Sequence, residues 1–141
     1  MELTDLLTSE GSLLWKVWVT LEVLGVCVWV RLALRNDDIR LIVSTLRRRA
    51  PERDVAYLPD VARAQRLGRA VHRVLGHWPS QSRCLLESLV LTRMLSRRRV
   101  DSSLVIGVAP GETFQAHAWV ESEGVALLPP LASTFTPLVR I

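Results

Sequence analysis

The sequence predicts an α+β fold with a helical first half and a small antiparallel sheet towards its end. Two patterns carry this prediction. Apolar residues recur at helical spacing in segments before residue 97, and apolar and polar residues alternate in short segments after residue 104. The chain has 141 residues, of which 49% are hydrophobic. This length and composition predict one folded domain with a substantial core and exclude a mostly disordered chain.

Helices are predicted over residues 12–34, 37–46, 60–75 and 84–97. Asn36 or Asp37 could cap the second of them, and Asp60 is the predicted cap of the third, because short polar side chains accept hydrogen bonds from the first free N–H groups. Gly76 lies just past the end of the third helix, as a C-terminal glycine does. Residues 1–57 are expected to form a helical N-terminal region and residues 58–141 the core that carries the site, together in one compact unit.

Strands are predicted over residues 104–108, 114–121, 125–128 and 136–140. Gly124 separates the second from the third and indicates a hairpin turn. Pro129 and Pro130 follow the third strand and should stop the pairing, because proline has no N–H to donate.

The first helix is unusually apolar. The run from Leu13 to Leu34 is about long enough to span a bilayer, but Lys16, Glu22 and Arg31 interrupt it. We interpret it as a buried core helix or a helix that docks a partner, with contact at a membrane surface as the alternative. Residues 1–10 carry three acids instead of the positive charges of a secretory signal, which predicts a cytoplasmic protein.

The formal net charge is +4, and Lys16 is the only lysine among the basic residues. Arginines cluster at residues 47–49 and 97–99. Solvated helix ends explain such clusters, since cations are favoured at the C-terminal end of the helix dipole; a surface for an acidic partner or peptide is the alternative. No interleaved aromatic residues or known nucleic-acid motif accompany the clusters, so no nucleic-acid partner is predicted.

Two cysteines, Cys27 and Cys84, are too few for a disulfide framework. Cys27 lies in the apolar run of the first helix and is expected to be a buried small hydrophobic residue. The three histidines are far apart in the sequence, and neither cysteine has a neighbour at metal-ligand spacing. We therefore predict neither a metal nor a cofactor.

The candidate catalytic residues are Cys84 and His117. Cys84 falls in the opening turn of the fourth predicted helix, where the helix dipole favours the thiolate. His117 follows 33 residues later on a predicted strand, on the same face as Trp119, and could take the thiol proton. Each residue alone is more readily explained as structural. Together, with one strand between them, they follow the chain order of papain-like and transglutaminase-like cores.

Two sequence blocks carry a closer resemblance. They are S-R-C-L-L-E-S-L at residues 82–89 and F-Q-A-H-A-W-V-E at residues 114–121, with the strand L-V-I-G-V at 104–108 between them. From about Leu58 to Leu128 the chain resembles the leader peptidase of lasso-peptide biosynthesis, a transglutaminase-like cysteine protease. The short helical first half is similar to the stand-alone form, in which the peptide-recognition domain is a separate chain.

The resemblance implies a concrete function. The substrate would be a ribosomally made precursor peptide, cut between leader and core. A separate leader-recognition protein would present the leader, and an ATP-dependent cyclase would close the ring afterwards. Cys84 would be the nucleophile, and His117 the general base and then the acid for the leaving amine.

The chain departs from the family at one position. Members usually carry an aspartate on the strand after the histidine, whereas the corresponding stretch here, residues 125–130, has no acid or amide. His117 could then be held by a backbone carbonyl or by packing against Trp119, as part of a dyad. Two other functions share the fold: a catalytically weak or inactive binding module, and an acyl-transfer enzyme that uses the same thioester chemistry.

Overall fold

In the computed structural model, a central helix packs on a four-stranded antiparallel sheet, and two further helices pack against the central helix. The structure describes residues 13–36, 41–42, 44–45, 58–77, 83–110, 115–128 and 135–141. The helices are α1 (Leu13–Asn36), α2 (Leu58–Leu75) and α3 (Arg83–Arg97), and the strands are β1 (Ser103–Ala109), β2 (Gln115–Ser122), β3 (Val125–Ala126) and β4 (Thr136–Arg140). These elements confirm the predicted α+β class.

α3 is the central helix. Its neighbours are α1, α2 and the sheet strands β1 and β2, so little of its surface is left for solvent. Every residue from Leu86 to Ser96 is buried except Arg93. The helix ends in a tight cap: the N–H of Val100 bonds to the carbonyl of Leu95 at 3.0 Å, and Arg99 has a positive φ of 59°. This is a Schellman-type end, with arginine at the position that glycine usually takes.

The sheet order is β3-β2-β1-β4, so the last strand pairs with β1 at the edge far from β3. β2 and β3 form the predicted hairpin, whose turn residues Glu123 and Gly124 have positive φ values of 51° and 76°. Two successive positive φ values are typical of a type I′ turn, which matches the right-handed twist of the strands. The prediction of a turn at Gly124 is therefore confirmed.

The two faces of the sheet have different surroundings. Leu104 pairs with Val120 and Ile106 with Ala118, and these four residues belong to or pack against the core that the helices form. Residues between them point the other way, since side chains alternate along a strand. On that second face the partners Val105 and Trp119 are fully buried but lie outside the helical core cluster.

α1 has two opposite apolar faces. The buried face packs on α3 and consists of Val19, Val23, Val26, Cys27 and Val30. The exposed face lies about half a turn away at 100° per residue and consists of Leu13, Leu14, Val17, Trp18, Leu21, Leu24, Val28, Trp29 and Leu32. Of the described helices, α1 alone is long and apolar enough to cross a membrane, by length and composition.

Several predicted boundaries are corrected by the structure. α2 begins at Leu58, so Asp60 lies inside the first turn and is not the cap. The helix starts earlier because Pro59 fits a first turn, where its missing N–H needs no partner. The third strand ends at Ala126 and not at Leu128, although the N–H of Leu127 still donates to the carbonyl of Val120 at 2.8 Å.

Other predicted features fall wholly or partly outside the described residues. Of the predicted second helix, residues 41, 42, 44 and 45 are described and are helical, and Ile42 is buried. The first residue of the predicted histidine strand, Phe114, lies outside the described residues, as do the two prolines that follow the hairpin and the arginine cluster at 47–49.

Candidate functional site

Cys84 is the second residue of α3 and therefore lies in the first turn of the helix. It is a free cysteine, half-buried and packed against the helical core. α3 is 15 residues long, and the positive end of its dipole is at this turn. A thiol in this position is close to backbone N–H groups that could stabilise a developing negative charge.

His117 is the third residue of β2, directly across from Gly107 on β1. It lies on the second face of the sheet, with Trp119 and Glu121, because these residues are two positions apart along the strand. The predicted shared face of His117 and Trp119 is therefore present in the structure.

Chain connection places both residues towards the same end of the domain but on opposite faces of the sheet, since Cys84 packs against the helical core and His117 projects from the second face. Only five residues, 98–102, join the end of α3 to the start of β1, so the two elements run antiparallel and the first turn of α3 lies towards the far end of β1. The β1–β2 pairing places Gln115 opposite Ala109 at that same end. In the part of the chain that is described, however, Nε2 of His117 is buried and has no hydrogen-bond partner, so it does not bond to the Cys84 thiol.

Aromatic rings hold the imidazole of His117. The Trp119 ring is nearly parallel to it, with an interplanar angle of 19° and 6.0 Å between ring centroids. Phe135, the residue before β4, lies at 4.9 Å and 30°. Burial lowers the pKa of His117 below the usual value of about 6.5, because the charged imidazolium loses solvation. The ring is therefore neutral at pH 7, the form that a general base requires.

On this face, Glu121 carries the carboxylate that is closest to His117 in the sequence. This carboxylate bonds to Trp119 and Arg140 and not to the imidazole. Its Oε1 accepts a hydrogen bond of 2.8 Å from the indole N–H of Trp119, and its Oε2 pairs with Arg140 of β4. Burial alone would raise the pKa of Glu121, but the hydrogen bonds from Trp119 and Arg140 and the Arg140 charge together lower it. Glu121 is therefore ionised at neutral pH.

A second polar cluster lies one turn after Cys84. The carboxylate of Glu87 is buried on α3, and its Oε2 lies 3.1 Å from Nδ1 of His72 on α2. Arg83 approaches the same carboxylate at 3.7 Å and donates a hydrogen bond of 2.5 Å to the carbonyl of Gly76. Arg83 thus connects the end of α2 to the first turn of α3, the turn that contains Cys84.

Cys27, the other cysteine, lies in the buried face of α1 with 5% of its surface exposed. Burial raises the pKa of its thiol, and the charge of Arg31 opposes this only in part. A buried, protonated thiol is a poor nucleophile. The prediction that Cys27 is a buried small residue is confirmed.

Sequence reasoning missed three contributors to this region: Phe135, Arg140 and the pair His72–Glu87. Each depends on a contact between residues far apart in the chain, and a single sequence has no local signal for such contacts. Position 87 did carry a weak signal, because a carboxylate three residues after Cys84 falls among the apolar residues of a buried helix.

The charged residues at the end of α3 also have partners within the chain. Arg97 and Arg98 approach the carboxylate of Glu22 on α1, Arg98 at 2.7 Å and Arg97 at 3.5 Å. Among the described residues, no group of three or more histidine, cysteine, aspartate or glutamate side chains could hold a metal ion.

Residues 24–140 match the family model described as the transglutaminase-like superfamily. The matched region starts inside α1 and includes Cys84, His117 and all four strands. No curated protein and no solved structure gives a significant match.

Proposed function

Because the chain belongs to the transglutaminase-like superfamily, we propose that it is a cysteine peptidase that removes the leader from a ribosomally made lasso precursor peptide. The observation that carries the proposal is the position of Cys84, a free, half-buried thiol in the first turn of the central helix; His117, with a neutral imidazole, is the proposed base on the adjacent sheet. The resemblance of residues 82–89 and 114–121 to lasso leader peptidases supports the choice of substrate.

In the proposed reaction, the thiol proton of Cys84 passes to His117, and the sulfur attacks the carbonyl carbon of the scissile peptide bond. The backbone N–H of Cys84 is a candidate donor to the resulting oxyanion. His117 then returns the proton to the leaving amine, and the C–N bond breaks, leaving a thioester. Water, deprotonated by His117, hydrolyses the thioester and regenerates the thiol.

Nε2 of His117 is the nitrogen that would act as the base. It has no protein partner among the described residues, but it is buried, so the ring must become accessible before it can accept a proton from the thiol or a water. Catalysis needs thiol and imidazole within hydrogen-bond distance, so the proposed reaction requires the imidazole to leave its packing against Trp119 and Phe135 and turn towards Cys84.

The exposed face of α1 is the proposed docking surface for the separate leader-recognition protein. A soluble protein seldom leaves nine large apolar side chains exposed along one helix without a partner. The arginines at the end of α3 are a weaker candidate for such contact, because Arg97 and Arg98 already pair with Glu22. We propose a cytoplasmic enzyme that works before an ATP-dependent cyclase.

The test is a cleavage assay with a candidate precursor peptide, with and without the recognition protein, read by mass spectrometry. We expect slow cleavage by the chain alone, faster cleavage with its partner, and products whose summed mass exceeds the precursor by one water. Cys84→Ala and His117→Ala should each abolish cleavage. Cys27→Ala and His77→Ala are matched controls that should retain it, since Cys27 lies in the buried face of α1 and His77 is exposed after α2.

Two other outcomes would replace this proposal. A product joined to an added amine instead of water would identify an acyl-transfer enzyme. Tight binding of precursor or partner without turnover, unchanged by Cys84→Ala, would identify a binding module; the missing hydrogen bond between Cys84 and His117 is the observation that favours this second function.

A further inference from the structure

Three residues form a row across the second face of the sheet. Trp119 on β2 pairs with Val105 on β1, and Val105 pairs with Arg140 on β4. Directly paired residues project to the same side, so the indole and the guanidinium lie on the same face as His117. Glu121, two residues after Trp119, bonds to both of them.

The place of the Trp119 ring is narrowly defined. The side chain is fully buried, and its N–H is held by Glu121 at 2.8 Å. On β1 the ring lies over Gly107, where an added Cβ would come within 2.7 Å of the ring atom Cη2. The indole therefore has glycine on one side and a charge-assisted hydrogen bond at its edge.

His117 depends on this ring for its own orientation. Its described contacts are aromatic: Trp119 at 6.0 Å and Phe135 at 4.9 Å between centroids. In a triad, a carboxylate would hold the imidazole directly. Here the carboxylate on this face bonds to the indole, and the indole stacks on the imidazole.

We propose that Glu121 and Arg140 are a positioning pair that sets the orientation of the His117 imidazole through the Trp119 ring. Arg140 keeps Glu121 ionised and fixed, Glu121 fixes the indole, and the indole with Phe135 fixes the imidazole. This inference rests on the proposed role of His117 as general base, and it assigns a function to the carboxylate of the F-x-A-H-A-W-V-E block.

The experiment is an NMR titration of the His117 ring in the intact protein, which needs no substrate. The variant is Glu121→Gln, which keeps the size of the side chain and removes its charge. Glu123→Gln is the matched control, because Glu123 is exposed in the neighbouring turn. His72 and His77 serve as internal references, and His117→Gln assigns the resonance.

The direction of the shift separates positioning from simple charge. If Glu121 acts only as a nearby negative charge, its removal lowers the titration midpoint of His117 further. If it positions the ring, its removal loosens the packing, and the midpoint rises towards about 6.5, the value of a solvated histidine. We expect the rise, with a changed ring-current shift for His117 and unchanged reference histidines.

Trp119→Phe and Arg140→Met test the remaining steps. Phenylalanine keeps a ring to stack on but has no N–H to donate to Glu121, so this variant should behave as Glu121→Gln does. Arg140→Met should have the same effect, and the double variant with Glu121→Gln should be no worse than either single one, since the two residues act as a unit. In the cleavage assay each should lower kcat about tenfold with little change in KM.

A lowered or unchanged His117 midpoint in Glu121→Gln would overturn the inference, as would an equal effect of Glu123→Gln. Since the titration uses no peptide, it gives an answer even if the chain cleaves no precursor. Failure of the proposed function and failure of the positioning pair are therefore separate results.

Discussion

At the scale of single residues, the two cysteines differ in what surrounds them. Cys84 is half-buried at the positive end of the α3 dipole, whereas Cys27 is buried in the helix interface and its thiol pKa is raised. We predict that iodoacetamide at neutral pH labels Cys84 and leaves Cys27 unmodified. Labelling should persist in Cys27→Ser and disappear in Cys84→Ser, as measured by mass spectrometry. Modification of Cys27 in the folded protein would contradict this assignment.

At the candidate site, the sequence predicted best where each residue lies within its own helix or strand. The position of Cys84 at a helix start follows from the loop before it, and the shared face of His117 and Trp119 follows from strand alternation. The partners of these residues could not be predicted. Phe135 and Arg140 reach the histidine face only because β4 pairs with β1, and local sequence patterns do not determine that pairing.

At the scale of elements, the close approach of β1 to its neighbours makes Gly107 sensitive. An added Cβ would lie 2.7 Å from the backbone oxygen of Thr136 on β4 and 2.7 Å from the Trp119 ring. Since a backbone atom cannot rotate away, we predict that Gly107→Ala lowers the free energy of unfolding by roughly 1–3 kcal/mol. Chemical denaturation followed by circular dichroism would measure this loss.

Gly25 in α1 is the matched control for this substitution. Its Cβ would meet open space, and alanine has the higher helix propensity. Gly25→Ala should therefore stabilise the protein by about 0.5–1 kcal/mol, the opposite sign for the same chemical change. A Gly107→Ala variant as stable as the wild type would show that β4 can shift away from β1 without loss.

Helices and the hairpin were predictable as elements because each has a local signal, such as the 3.6-residue period or Gly124 in its turn. Their ends were less so. α2 starts two residues before its predicted cap, since Pro59 extends the first turn. The apolar residues around Glu87 gave a weak signal for its burial, but its partner could not be predicted, because His72 lies on a different helix.

At the scale of the whole molecule, the exposed face of α1 predicts dependence on a partner. Leu21 lies in this face and is 61% exposed. We predict that Leu21→Ser reduces the stimulation of cleavage by the recognition protein about tenfold and leaves the unstimulated rate unchanged. Truncating an exposed apolar anchor weakens docking by roughly 1–2 kcal/mol. Cleavage rates at increasing partner concentration would measure the effect.

Leu138→Ser is the matched control, since Leu138 is 62% exposed but belongs to β4. Equal loss in both variants would contradict the assignment of the docking surface to α1. If Leu21→Ser instead abolishes co-sedimentation with anionic vesicles and keeps partner stimulation, the face binds a membrane surface.

The two opposite apolar faces of α1 also affect how much folded protein a cell can accumulate. The buried face of this helix is part of the domain core, yet the exposed face leaves apolar side chains in water. Chains made in excess of whatever covers that face would self-associate or be degraded. Supply in matched amounts, as from co-translated genes, is the condition under which such a surface is tolerated. Expression alone should accordingly give low soluble yield, and co-expression with the covering partner should restore it.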